Sequence, residues 1–174
     1  MAKNRALAVF TAGLVMSIVL AIVNSAEAQG GKPETSPKAV SAKELDRGRY
    51  MILTGHCNNC HTAGYSKREG NVPEKEWLLG SSPLGYRGPW GTTYSSNLRL
   101  TVQAFTEDQW VKYAKAMKSR PPMPWWSLQA TTEQDLKAMY KFIKRLGSAG
   151  DPAREFVPSD KEPNPPYEAR RVVE

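Results

Sequence analysis

The sequence predicts an all-α domain of few helices and long loops. Three observations carry this reading. Segments near residues 106–118 and 131–146 place apolar side chains at helical spacing, with lysines on the opposite side. A segment near 42–53 does so more weakly. No strand–helix–strand pattern of the kind an α/β domain needs is present. The chain has 174 residues, 40% hydrophobic and 24% charged, which is the composition of one globular domain and not of a disordered chain.

Taken in order, residues 1–28 read as an export signal. Met1 to Arg5 is short and basic, and Ala6 to Val23 is apolar apart from Thr11, Gly13 and Ser17. Ala26-Glu27-Ala28 has the small-x-small form of a signal peptidase site, which predicts a mature chain from Gln29. The alternative is an uncleaved membrane anchor, since a largely apolar stretch of 18 residues lies at the short end of what spans a bilayer. Either way the remainder is delivered outside the cytoplasm, to the periplasm of a bacterium. Cleavage leaves 146 residues with 22 basic and 16 acidic side chains. Such a positive excess suits nucleic acid, an anionic membrane or an acidic protein. Export, and the lack of an Arg-rich or aromatic-interleaved run, argue against nucleic acid and leave an acidic protein surface.

Residues 29–41 contain Gly30, Gly31, Pro33 and Pro37 and read as a flexible leader. The folded domain is expected over 42–150. Ser41 is placed to cap a helix from Ala42 to Leu53, in which Leu45, Gly48 and Ile52 share a face. A mid-helix glycine costs about 1 kcal/mol relative to alanine, which close packing at Gly48 would explain. Residues 62–100 are rich in Gly, Pro, Ser, Thr and Asn without sustained periodicity. That is long for a structureless loop and implies organisation around something other than polypeptide.

Thr106, Glu107 and Asp108 open a second helix with a cap and acids in its first turn. Trp110, Tyr113, Ala114 and Met117 fall on one side of it, Lys112, Lys115 and Lys118 on the other. Pro121, Pro122 and Pro124 stop it. A third helix starts at Thr131 or Thr132, carries the stripe Leu136, Met139, Tyr140 and Ile143, and ends at Gly147. Its Lys137, Lys141 and Lys144 face away. Residues 151–174 hold five prolines and read as an extended tail.

The chemistry is concentrated in His56-Cys57-Asn58-Asn59-Cys60-His61, which holds both cysteines and both histidines of the chain. Cys-x-x-Cys-His is the attachment motif of c-type haem. Two thiols three positions apart can form thioethers to the haem vinyl groups, and the adjacent histidine is then held under the iron. Three rivals exist. A thioredoxin-like dithiol wants a strand–helix context in an α/β domain. A zinc site would have to wrap a tetrahedron from six consecutive residues. A plain Cys57–Cys60 disulfide explains neither His61 nor the long irregular segment. Haem c, with Cys57 and Cys60 as covalent anchors and His61 on the iron, is the reading that uses every feature.

A sixth iron ligand must come from elsewhere in the chain. Met1 and Met16 leave with the signal, and Met51, Met117 and Met139 lie on expected helices as packing residues. Met123 sits in Arg120-Pro-Pro-Met-Pro-Trp-Trp126, where prolines hold the chain extended and aromatics can shield a sulfur. It is the expected ligand; the bland alternative is a loop side chain filling the core. A thioether raises the potential relative to a second imidazole, which suits an electron carrier.

Helix, Cys57-x-x-Cys60-His61, long loop, helix, Met123 loop and terminal helix occur in the order of the class I cytochromes c, and the chain resembles that family over roughly 42–147. Gly48-Arg-Tyr50 is similar to the family's first helix, where a glycine lets the terminal helix cross. The resemblance implies the cytochrome c fold wrapped around one haem, with Gly48 against the Leu136/Tyr140 face. A closer similarity is to the cytochrome c subunits of membrane-associated alcohol, aldehyde and sugar-acid dehydrogenases, on Gly91-Thr-Thr-Tyr94-Ser-Ser-Asn97, Phe105-Thr-Glu-Asp and Pro122-Met123-Pro124. Those subunits typically carry three haem motifs and this chain carries one. Trp90, Tyr94 and Asn97 either line the haem and its propionates or pack the loop.

The function expected is that of a periplasmic one-electron carrier with a His/Met-ligated haem c, transforming no substrate itself. Its partners would be a donor dehydrogenase and an acceptor oxidase or cytochrome. Lys112, Lys115 and Lys118 either steer an acidic partner or form an ordinary solvated face. The alternative is a haem subunit stably bound in a heteromeric periplasmic dehydrogenase, with the proline-rich tail lying along the catalytic partner. A peroxidase or ligand sensor would need an open iron site, which Met123 as the sixth ligand would close.

Overall fold

The structure, a computed structural model, describes residues 39–169. The export segment over 1–28, most of the leader over 29–41 and the last residues of the tail lie outside them. Among the described residues no helix is long and apolar enough to cross a membrane.

The first helix, α1 (Ala42–Thr54), starts where expected, because Ser41 and Glu44 form a reciprocal capping box. Its last turn leads through Gly55 and His56 into a one-turn helix, α2 (Cys57–His61). Helix α3 (Leu98–Gln103) begins at the Asn97 cap. Thr106 and Gln109 form a second capping box that opens α4 (Glu107–Ala116). A short α5 (Trp125–Ala130) follows the proline run. Thr132 caps α6 (Glu133–Leu146), and Gly147 ends it at φ 73°, a left-handed value suited to glycine.

Helices α1, α4 and α6 enclose the core, in which Ile52, Val102, Trp110, Leu136, Phe142 and Ile143 are buried. Gly48 is where α1 and α6 meet. A Cβ there would come 2.1 Å from the Ala138 carbonyl oxygen and 2.7 Å from the Phe142 Cβ, so the helices cross at backbone contact. The expected partner face, Leu136 and Tyr140, is turned elsewhere. The Leu136 carbonyl accepts from Trp110 Nε1 at 3.0 Å and the Tyr140 hydroxyl donates to the Phe105 carbonyl at 2.9 Å. The stripe on α6 is wide enough to serve two neighbours. Face assignment on α4 also differs from expectation. Trp110, Val111 and Ala114 are buried, while Tyr113 stacks on Phe105 at 5.0 Å between centroids and stays 38% exposed. Met117 lies beyond the helix in extended backbone.

The fold is mostly helical, but not all-α. Strands β1 (Gly85–Gly88), β2 (Gly91–Thr93) and β3 (Tyr167–Ala169) form a three-stranded sheet in the order β2-β1-β3. β1 and β2 are an antiparallel hairpin joined by the two residues Pro89 and Trp90, and β3 runs parallel to β1. The tail is therefore not a free extension. It folds back along the hairpin, with Val157 bridged to Thr92 and Tyr167 to Ala169 on the β1 edge. An exposed sheet edge offers unpaired N–H and C=O groups, and an extended proline-rich segment can cover it.

Lysines in both rows make specific contacts. Lys141 on α6 meets Glu44 at 2.6 Å and Glu107 at 3.5 Å, and Lys137 meets Asp108 at 3.3 Å. Lys115 donates to the Gln129 and Thr131 carbonyls at the end of α5, at 2.9 and 2.5 Å.

Candidate functional site

The site starts from a turn. Gly55 donates to the Met51 carbonyl at 2.9 Å, and His56 adopts φ 55°, ψ 25°. That left-handed conformation is uncommon for a residue with a Cβ, though histidine tolerates it better than most. It breaks α1 and restarts the chain as α2 in a new direction. Along α2, Cys57, Cys60 and His61 stand at i, i+3 and i+4, so all three share one face. His56 is exposed outside that helix.

Both thiols are free and partly buried, and Cys57 packs against the core. Burial pushes the Cys57 thiol up to about 11. A thiol–disulfide catalyst works through a thiolate near neutral pH, which the burial of Cys57 disfavours. Among the described residues no three His, Cys, Asp or Glu side chains converge as a metal site.

His61 is buried, and its Nδ1 lies 2.7 Å from the Ser96 carbonyl oxygen. That oxygen can only accept, so Nδ1 carries the proton and Nε2 presents a lone pair. Burial holds the imidazole below its usual range, against the pull of the Ser96 bond, so it stays neutral at pH 7. A neutral imidazole with one nitrogen fixed by a carbonyl is the form that ligates a metal. The supporting contacts are close behind. Gly80 N–H donates to the His61 carbonyl at 2.8 Å. Leu78 N–H donates to the Thr62 hydroxyl at 2.8 Å, which donates in turn to Asn58 Oδ1 at 2.7 Å.

The segment bearing Ser96 is held from both sides. Ser95 N–H donates to Ser81 Oγ at 2.9 Å. Asn97 accepts from Leu100 N–H at 3.1 Å and donates to the Ala149 and Asp151 carbonyls at 2.8 and 3.2 Å. Asn97 is thus consumed by packing and is not a candidate for binding a cofactor carboxylate. Tyr94 is buried, with the Arg154 guanidinium 5.8 Å above its ring. Trp90 differs: its Nε1 is buried without a partner, as are Thr93 Oγ1 and Asn58 Nδ2. Buried donors are rarely left unpaired, and each requires an explanation.

Met123 is half-buried in the extended segment between α4 and α5, just before the Trp125–Trp126 pair. Its N–H donates to the Arg120 carbonyl at 3.2 Å. Met139 is a core residue and Met51 packs against the core, so the packing role expected for them is observed. Sequence reasoning missed Ser96, whose contribution is a backbone carbonyl, and Thr93, whose burial depends on the hairpin. Two surface hollows, one of about 400 Å³ beside Phe105 and Tyr113 and one of about 270 Å³ beside Asn59 and Tyr86, are not lined by Cys57, Cys60, His61 or Met123.

The chain is similar to the fructose dehydrogenase cytochrome subunit of Gluconobacter japonicus, with 26% identity over 120 residues. The match covers 63% of this chain and 23% of that protein, so the chain spans under a quarter of its relative. No family model matches the chain. No solved structure matches it.

Proposed function

We propose that this chain is a c-type cytochrome that carries single electrons in the periplasm through one covalently attached haem. The observation that carries the reading is the α2 face, where two free thiols stand beside an imidazole whose Nδ1–H is spent on Ser96 and whose Nε2 is available. The donor set fits haem c: Cys57 and Cys60 would anchor it as thioethers, and His61 and Met123 would supply nitrogen and sulfur to its iron. The buried, unpaired Trp90 Nε1 and Thr93 Oγ1 are suited to the haem carboxylates, which would satisfy them. The haem, when bound, supplies the ferric–ferrous couple.

The protein's part is to hold, orient and shield. Ser96 fixes the imidazole tautomer and its ring orientation. Burial of His61 would limit water at the nitrogen offered to the iron. A thioether from Met123 would favour the ferrous state and leave no open position for a substrate. The similarity to a dehydrogenase cytochrome subunit supports a dehydrogenase as electron donor, with an oxidase or another cytochrome as acceptor. Residues 109–132 hold Lys112, Lys115, Lys118 and Arg120 and no acidic residue, so an acidic docking surface is the complement. The same similarity favours a second reading, in which the chain is the haem subunit of a dehydrogenase complex.

The test is the visible spectrum of protein exported to the periplasm, oxidised and then reduced. Low-spin ferrous haem c bands, with a weak far-red sulfur-to-iron band in the ferric form that Met123→Ala abolishes, are expected. A high-spin spectrum, or one indifferent to Met123, would return ligand binding or catalysis as the leading function. A colourless protein would remove the reading altogether.

A further inference from the structure

The Met123 loop has few anchors of its own. Met117 N–H donates to the Tyr113 carbonyl at 2.8 Å and Trp125 N–H to the Met123 carbonyl at 2.9 Å, both local bonds. Gln129 Nε2 reaches the Met117 carbonyl at 2.9 Å and Lys118 lies 5.8 Å over the Trp125 ring, again within the α4–α5 hairpin. Arg120 leaves that hairpin. Its guanidinium carbon lies 4.1 Å from the centre of the Phe156 ring.

Phe156 is itself fixed from behind. A Cβ on Gly91 would come within 2.7 Å of Phe156 Cζ, so the ring edge rests on bare backbone. The next residue, Val157, exchanges both backbone bonds with Thr92, at 2.7 and 3.0 Å. Earlier in the same stretch the Ala149 and Asp151 carbonyls accept from Asn97, the neighbour of Ser96. One stretch, residues 149–157, therefore touches both segments that bear on the axial ligands: the one that orients His61 and the one that carries Met123.

We propose that Phe156 is a positioning residue for Met123, with the Arg120–Phe156 stack clamping the Met123 loop to the 149–157 stretch that also holds Asn97, the neighbour of Ser96. The inference rests on Met123 being an axial ligand. A guanidinium over an aromatic face at a partly exposed site shifts a local opening equilibrium by about threefold. An exogenous ligand competes only for the open form, so its apparent affinity reads that population directly.

The experiment uses the full chain loaded with haem, in the ferric state, titrated with imidazole while the far-red band is followed. Phe156→Leu keeps apolar bulk on Gly91 and removes the π face; Arg120→Ala removes the cation from an exposed position and leaves the core intact. Each is expected to be half-displaced at about threefold lower imidazole than wild type. The double variant should go no lower than either single one, and Phe156→Tyr should behave as wild type. If wild type shows the band, Met123→Ala loses it, and both single variants titrate as wild type does, the clamp is overturned while the ligation reading stands. If the band is missing in wild type or survives Met123→Ala, ligation and clamp fall together.

Discussion

Gly48 and Ala138 meet backbone to backbone: a Cβ on the glycine would stand 2.1 Å from the Ala138 carbonyl oxygen. A backbone oxygen in the middle of α6 cannot rotate away as a side chain can. Alanine gains about 1 kcal/mol of helix propensity over glycine, but overpacking a tight contact costs roughly 1–3 kcal/mol or more. The clash should win. Gly48→Ala is expected to lose about 2 kcal/mol in urea unfolding, with an unchanged slope. A variant as stable as wild type would mean that α1 and α6 do not cross here.

The same helix pair is tied at its edge by charge. Glu44 is lowered from 4.5 to about 2, chiefly by the hydrogen bond from Lys141 and then by the backbone and hydroxyl of Ser41. A carboxyl with a depressed folded-state value stabilises the fold above its unfolded value, and that contribution is lost as pH falls. The window is therefore pH 4.5 down to about 2. Glu44→Gln should melt below wild type at pH 7, and the gap between the two should close across that window. A gap that stays constant down to pH 2 would show that the carboxylate contributes nothing through its charge. High salt should narrow the gap, because both partners are accessible to solvent.

What could be read in advance divides along physical lines. The helices α1, α4 and α6 were legible because caps at Ser41, Thr106 and Thr132 precede stripes long enough to repeat. The motif was legible because thiols and an imidazole at that spacing have few joint uses. The sheet was not, since β2 has three residues, too few to display alternation. The Pro89-Trp90 turn between glycines was the available signal. Arg99 was also opaque: its buried guanidinium donates to the Gly147, Lys75 and Leu146 carbonyls and meets no acid. A cation at the end of α6 complements the helix dipole, but only the fold brings Arg99 there. Ser96 leaves no trace at all, because any residue offers a carbonyl.

The tail offers a test between the two electron-transfer readings. An extended, unattached 151–174 would be free to lie along a catalytic partner, but residues up to Ala169 are occupied on their own domain. Arg87 donates to the Lys161 carbonyl at 3.0 Å and meets Glu162 at 3.3 Å, β3 pairs with β1, and Val157 pairs with Thr92. Arg154 and Lys161 are exposed, but a protease needs an extended, locally released backbone, and the pairing at Val157 and the Arg87 bond to the Lys161 carbonyl restrain it. In the isolated, haem-loaded protein both sites are expected to be cut slowly. Val157→Pro removes the donor to the Thr92 carbonyl and should speed cleavage at Arg154 and Lys161 by about tenfold, the loss of one well-placed bond. Mass spectrometry of the fragments over time gives both rates. Rapid trimming at Arg154 in the wild-type protein would mean that the tail is held elsewhere in the cell, and the subunit of a dehydrogenase complex would then become the better account.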